Sequence, residues 1–241
     1  MKTKGFKAKR DTIFASLIRS YYDLKCSSIG YFWTSVFFIG VSSILVLEAN
    51  LDLVERQVRL ALLTEVISPI MIGFFSNTIL MNEIESGSAV FPATRLGLPV
   101  LWSRRVGALF LTYCLVLASV LTIVNIFYPE IGYSRYAFAS LPTCLFISGL
   151  VSAFSFVFKE MNAGFLAGTF IWSLNFVGAR AALSVFGPQF YIFYGWAALK
   201  YSLPPGFFWT NKTILTFFAL VLYLLCIFLL QNSEVILASK R

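Results

Sequence analysis

Six long stretches of this chain carry almost no charge, and they leave little freedom in what it can fold into. They cover residues 30–47, 60–81, 106–127, 139–158, 163–186 and 213–230. About 20 consecutive apolar residues cross the hydrocarbon of a bilayer as a helix, and only helices and closed barrels satisfy their own backbone polar groups there. The sequence therefore predicts an all-α integral membrane protein with six transmembrane helices, 30–241, preceded by a short N-terminal segment, 1–29. Charged residues make up only 12% of the chain, against about 25% in ordinary soluble domains, which agrees with that reading.

An even number of spans puts both termini on one side, and the distribution of Lys and Arg selects the side. With the N-terminus inside, the inner segments hold thirteen Lys and Arg, seven of them before Gly30, and the outer segments hold five. Both termini are thus expected in the cytoplasm of a bacterial plasma membrane. The net charge of +8 follows from this topology signal and does not call for a nucleic-acid partner. Within 1–29, Ile13, Phe14, Leu17, Ile18, Tyr21 and Leu24 recur at helical spacing. An amphipathic helix lying in the interface fits that pattern, and so does a plain topology anchor.

Whole classes of chemistry are poorly provided for. The chain has no histidine, which removes the commonest metal ligand and general base. Its four cysteines, Cys26, Cys114, Cys144 and Cys226, are far apart and form no zinc or disulfide pattern. No GxxxxGK[ST] loop occurs, so energy for work would come from a partner chain or a gradient. No catalytic residue, metal site or directly bound cofactor is expected.

The segment after the second span reads NEIESGSAVFPATRLGLPVLWSRR, residues 82–105. It has acids at the front, three arginines behind and two prolines, and it is expected on the cytoplasmic face. It resembles the corresponding loop of type-2 ABC exporter permeases, roughly E-x-E-x-G, a short helix, a T-P turn and then a basic residue opening the third span. Glu83, Glu85 and Gly87 match the front, Thr94 the turn and Arg105 the closing basic residue. Arg95 stands where proline is usual, with Pro92 and Pro99 to either side, and Arg104 replaces a common glycine.

The resemblance implies that this loop forms a coupling helix, with Phe91 in its apolar middle, that docks into a separate ATPase subunit. It also implies two such ATPase subunits, which hold the ATP and Mg, and a second permease copy or close homologue. A plain amphipathic connector remains the other reading of the loop. Ser28-Ile29-Gly30-Tyr31-Phe32-Trp33 resembles the L-G-x-x-W element of permeases that export O-antigen, capsule or teichoic acid, with Phe37-Phe38-Ile39-Gly40 where those usually carry a proline. The same Tyr31 and Trp33 are also explained as interfacial anchors. The expected function is export of an amphipathic or lipid-linked substrate, a glycan first, a hydrophobic drug or peptide second. A gradient-driven transporter is the alternative from another class.

Ionisable residues inside spans are costly and point to function. Glu65 and Arg180 each lie roughly 8 to 9 Å below the expected outer boundary, at a rise of 1.5 Å per residue. Their matching depth and opposite sign predict a pair near an outer gate, within one subunit or across a dimer, or else two independently snorkelling side chains. The fifth span opens with Gly164-x-x-x-Gly168, which permits close helix packing. Phe165, Thr169, Trp172, Phe176 and Arg180 then share one stripe, either a substrate path or ordinary packing. Between Phe190 and Trp209 lie nine aromatics together with Pro204, Pro205 and Gly206. These are expected to form short re-entrant outer helices between spans 5 and 6 or an interfacial aromatic belt.

Overall fold

The computed structural model describes residues 52–85 and 97–239, together with Gly40. The N-terminal segment 1–29, nearly all of the expected first span 30–47, Tyr31 and Trp33, and Gly87, Phe91, Thr94 and Arg95 of the loop lie outside the described residues.

Among the described residues the fold is entirely helical. In chain order the helices are α1 (Leu53–Ala61), a π-helical turn (Leu62–Ile67), α2 (Ser68–Glu85), α3 (Leu98–Phe127), α4 (Tyr133–Phe158), α5 (Met161–Phe176), α6 (Ala179–Phe186), α7 (Tyr194–Tyr201) and α8 (Phe208–Ser239). Short 3-10 turns at Pro188–Phe190 and Pro205–Phe207 flank α7. Four uninterrupted helical stretches are long and apolar enough to cross a membrane: Leu53–Asn82, Leu98–Phe127, Ser134–Phe158 and Pro205–Asn232. The α5–α6 pair meets the same standard only when its two pieces are counted together.

Helix α4 is the hub, packed most extensively against α8 and α2 and next against α5. Its sequence explains why. Ser140, Thr143, Cys144, Ser148, Ser152 and Ser155 are all buried, and small side chains let neighbouring backbones approach. Gly73 of α2 faces Ile147 and Val151, and Gly149 of α4 lies against Leu222 and Tyr223 of α8. The expected close approach at Gly164 and Gly168 has the same partner: both are buried, against Ser155 and Val151 of α4. Hydroxyls join these faces as well, Ser148 to the Tyr223 hydroxyl at 2.6 Å and Ser76 to Ser152 at 3.4 Å.

Two irregularities set the geometry of one end. Pro69 lacks an N–H, and its ring presses on the carbonyl four residues back, that of Glu65. The chain responds by widening one turn into the π-helix, where Ser68 N–H donates to Leu63 O, five residues back. The second irregularity falls at Val177-Gly178, where α6 turns 89° away from α5. A Cβ on Gly178 would come within 2.6 Å of the Leu174 carbonyl oxygen, so no other residue fits this break unchanged. The expected straight fifth span over 163–186 is thus two helices at nearly a right angle.

Candidate functional site

The π-turn, α4, α7 and α8 converge on Glu65, which is fully buried. Its carboxylate forms an ion pair with Lys212 Nζ and accepts the backbone N–H of Trp196 at the start of α7. Lys212, itself buried in the first turns of α8, also donates to Thr143 Oγ1 at 3.2 Å. Thr143 in turn donates to Ala139 O at 2.9 Å. Gly195 makes the arrangement possible, because a Cβ there would lie 2.7 Å from Glu65 Oε2 and 3.3 Å from Ala139 Cβ. An ion pair so enclosed is stabilising only as a pair; either charge alone would be left in a low-dielectric interior.

The widened turn leaves carbonyls to be satisfied from outside the helix, and neighbouring side chains supply the donors. Trp172 Nε1 of α5 donates to Val66 O at 2.8 Å, and Ser140 Oγ of α4 donates to Thr64 O at 2.6 Å. Ser140 also meets the Tyr113 hydroxyl of α3. Four helices therefore hold the π-turn in place around its carboxylate. Asn211, next to Lys212, ties the chain leading into α7 by donating to Tyr191 O at 2.8 Å and Gln189 O at 3.0 Å.

The expected Glu65–Arg180 pair is replaced by Glu65–Lys212. The reason is the break at Gly178: α6 carries Arg180 off the stripe that a straight helix would have drawn. Arg180 is exposed, with its guanidinium 5.9 Å from the Tyr201 ring centroid. The rest of the stripe stays on α5 and continues into α7 through ring contacts. Phe165 meets Phe74 of α2 at 4.9 Å, Trp172 meets Phe176 at 5.0 Å, Phe176 meets Trp196 at 5.3 Å and Trp196 meets Tyr201 at 6.0 Å. Thr169 is exposed beside them. Lys200 sits 4.7 Å from the Trp196 ring, so the far end of this ladder carries two cations.

The aromatic connection between α6 and α8 divides in two. Tyr191, Phe193, Tyr194 and Trp196 are buried under protein, while Phe190, Phe207 and Trp209 remain exposed. At the opposite end of α2, Glu83 and Glu85 fall in its last turn. Arg105 of α3 is buried and donates to Ile79 O at 2.8 Å, fastening α3 to that last part of α2. Cys114, Cys144 and Cys226 are free thiols, and no group of three or more His, Cys, Asp or Glu able to hold a metal occurs among the described residues.

Lys212, Thr143, Gly195 and Trp196 escape the sequence reading. Lys212 had a usable signal: a lone lysine one residue ahead of the last apolar run, which a helix beginning only slightly earlier would draw inside. The backbone donor of Trp196 has none. The class that fold and site define is, over the described residues, a helical protein with four helices long and apolar enough to cross a membrane and a buried charge pair. Comparison with known proteins gives no match to a family model, a curated protein or a solved structure.

Proposed function

We propose that this chain is the transmembrane permease of an ATP-driven exporter of the type-2 ABC kind, in a bacterial plasma membrane with both termini cytoplasmic. In this reading the first apolar run, 30–47, and the α5–α6 pair complete six spans. Two copies, or one copy and a close homologue, would enclose the path, and two separate ATPase subunits would supply the stroke. Residues 83–105 receive that stroke, and an amphipathic or lipid-linked substrate, a glycan first, leaves along the aromatic face of α5 and α7. The buried helix α7 takes the part of a re-entrant outer element.

The observation that carries the reading is the clamp at the base of the loop. Arg105, matched on sequence to the closing basic residue of the family's loop, bonds to Ile79 O and joins the two helices that flank 86–96. A push on that loop would move α2 and α3 as one body, because packed helices shift between discrete arrangements and do not stretch. Copurification tests this directly. Full-length protein should bring down a chain bearing a Walker motif, and replacement of Glu83, Glu85 and Gly87 by alanine should abolish the association while leaving the permease folded. Purified permease that moves cargo with no such ATPase would overturn the reading.

A gradient-driven transporter is the second reading, favoured by the Glu65–Lys212 pair, since a buried carboxylate beside a lysine can exchange a proton. Transport in sealed vesicles separates the two: collapse of the proton gradient abolishes uptake in a gradient-driven carrier and spares an ATP-driven one.

A further inference from the structure

At the end of the molecule that holds Glu65, a pocket of about 330 Å3 opens between the start of α4 and the start of α8, lined by Ser134, Arg135, Phe138, Pro205, Phe208 and Trp209. That size lies near the lower end of the roughly 300–1,000 Å3 typical of small-molecule sites. Three of its walls are aromatic rings packed edge to face, Phe138 on Trp209 at 5.7 Å and Phe208 on Trp209 at 5.2 Å. Its one charge is Arg135, whose guanidinium stands 5.4 Å from the Phe208 centroid. No ion pair of Arg135 occurs among the described residues, so no carboxylate there neutralises it. Lys212 lies 5.9 Å from the same ring but is committed to Glu65.

The surface leading away from the pocket is apolar and continuous. Trp209, Thr213, Phe217, Leu220, Leu224 and Phe228 follow one another at steps of three and four along α8, and all are exposed. At 1.5 Å per residue the first half of this stripe, Trp209 to Leu220, is about 16 Å long, close to the roughly 15 Å of one hydrocarbon leaflet that an acyl chain occupies. A cation in an aromatic cup at the head of such a stripe matches a molecule with an anionic head and a long apolar tail.

We propose that this pocket seats the phosphate headgroup of an anionic phospholipid, with an acyl chain lying along α8. The guanidinium presents planar donors to the phosphate oxygens, Ser134 is placed to add a hydroxyl donor, and Trp209 and Phe138 cover the glycerol region. The aromatic rings at the mouth suit the interfacial depth at which such headgroups lie. The site is independent of the exporter reading; it requires only that the helices are in a bilayer.

Native mass spectrometry of the full chain, titrated in detergent with phosphatidylglycerol or phosphatidylcholine, tests it. Wild-type protein should retain phosphatidylglycerol in preference to phosphatidylcholine, whose choline cation offsets its phosphate, and Arg135→Gln should weaken phosphatidylglycerol retention about tenfold, the loss expected for a charge-assisted hydrogen bond, with a smaller loss for phosphatidylcholine, so that the preference narrows. Trp209→Ala, which keeps the charge, should weaken retention of both lipids. Arg59→Gln should alter neither, which separates this pocket from general charge attraction. Equal retention of the two lipids, or no effect of Arg135→Gln, overturns the proposal. So does displacement of the lipid by millimolar inorganic phosphate, which would mark a free-anion site, or disulfide cross-linking of two Trp209→Cys chains through this face, which would assign it to a second copy.

Discussion

Glu65 and Lys212 each depend on the other because both side chains are buried among the helices. Replacing one leaves its partner as an uncompensated buried charge, at a cost of about 3–5 kcal/mol. Glu65→Gln and Lys212→Met should therefore each lower the unfolding free energy in detergent by that order, while the double replacement should recover much of the loss. Additive losses in the double variant would mean that the two side chains do not act as a pair. Gly195 makes a second residue-scale test. Its Cβ in Gly195→Ala would meet Glu65 Oε2 at 2.7 Å, so the carboxylate or α7 must shift. The expected loss is about 1–3 kcal/mol by thermal unfolding. If a Glu65→Ala background abolishes that loss, the clash is with the Glu65 side chain.

At the scale of elements, two contacts decide how the helices sit. Arg105→Ala removes a buried charge-assisted hydrogen bond between α3 and Ile79 O, costing about 1.5–3 kcal/mol. Cysteines placed on α2 and α3 near that contact should then cross-link more slowly than in the parent protein. Gly168→Ala would push a Cβ to 2.5 Å from Val151 Cγ2 and part α5 from α4, with a thermal destabilisation of about 1–3 kcal/mol. The existence of these helices is legible in the sequence because hydrocarbon selects apolar runs. Their ends are less so. Helix α3 starts at Leu98, ahead of the run at 106, and α8 starts at Phe208, ahead of the run at 213. Apolarity marks depth, whereas a helix continues past the apolar zone wherever its hydrogen bonds and caps allow. Apolarity alone therefore leaves Lys212, one residue ahead of the run at 213, in the preceding loop. The break at Gly178 stays hidden because residues on both sides are equally apolar.

For the whole molecule, the order of the chain matters less than what converges. The π-turn, α4, α7 and α8 come from distant parts of the sequence, and the carboxylate at their meeting point has partners 131 and 147 residues away. No periodicity or spacing rule reports such a contact, whereas the Gly164/Gly168 spacing, a local pattern, does find its counterpart in the packing. The proposed coupling loop is legible by resemblance alone, and its test is biochemical.

The right-angle turn between α5 and α6 has a bearing on the surrounding bilayer. At 1.5 Å per residue the 16 residues of α5 rise about 24 Å, short of the roughly 30 Å of an average hydrocarbon core. On the exporter reading, with α6 turned along the surface, lipid on that flank would thin or tilt by about 6 Å to avoid stranding polar headgroups or baring apolar side chains, at fractions of a kcal/mol per Å. Reconstitution in lipids with shorter acyl chains should consequently raise the thermal midpoint relative to longer ones, and a flat response would show that the helix stands in a membrane of ordinary depth. A dimple of this kind beside one wall of the protein would lower the barrier for a lipid headgroup to cross between leaflets there.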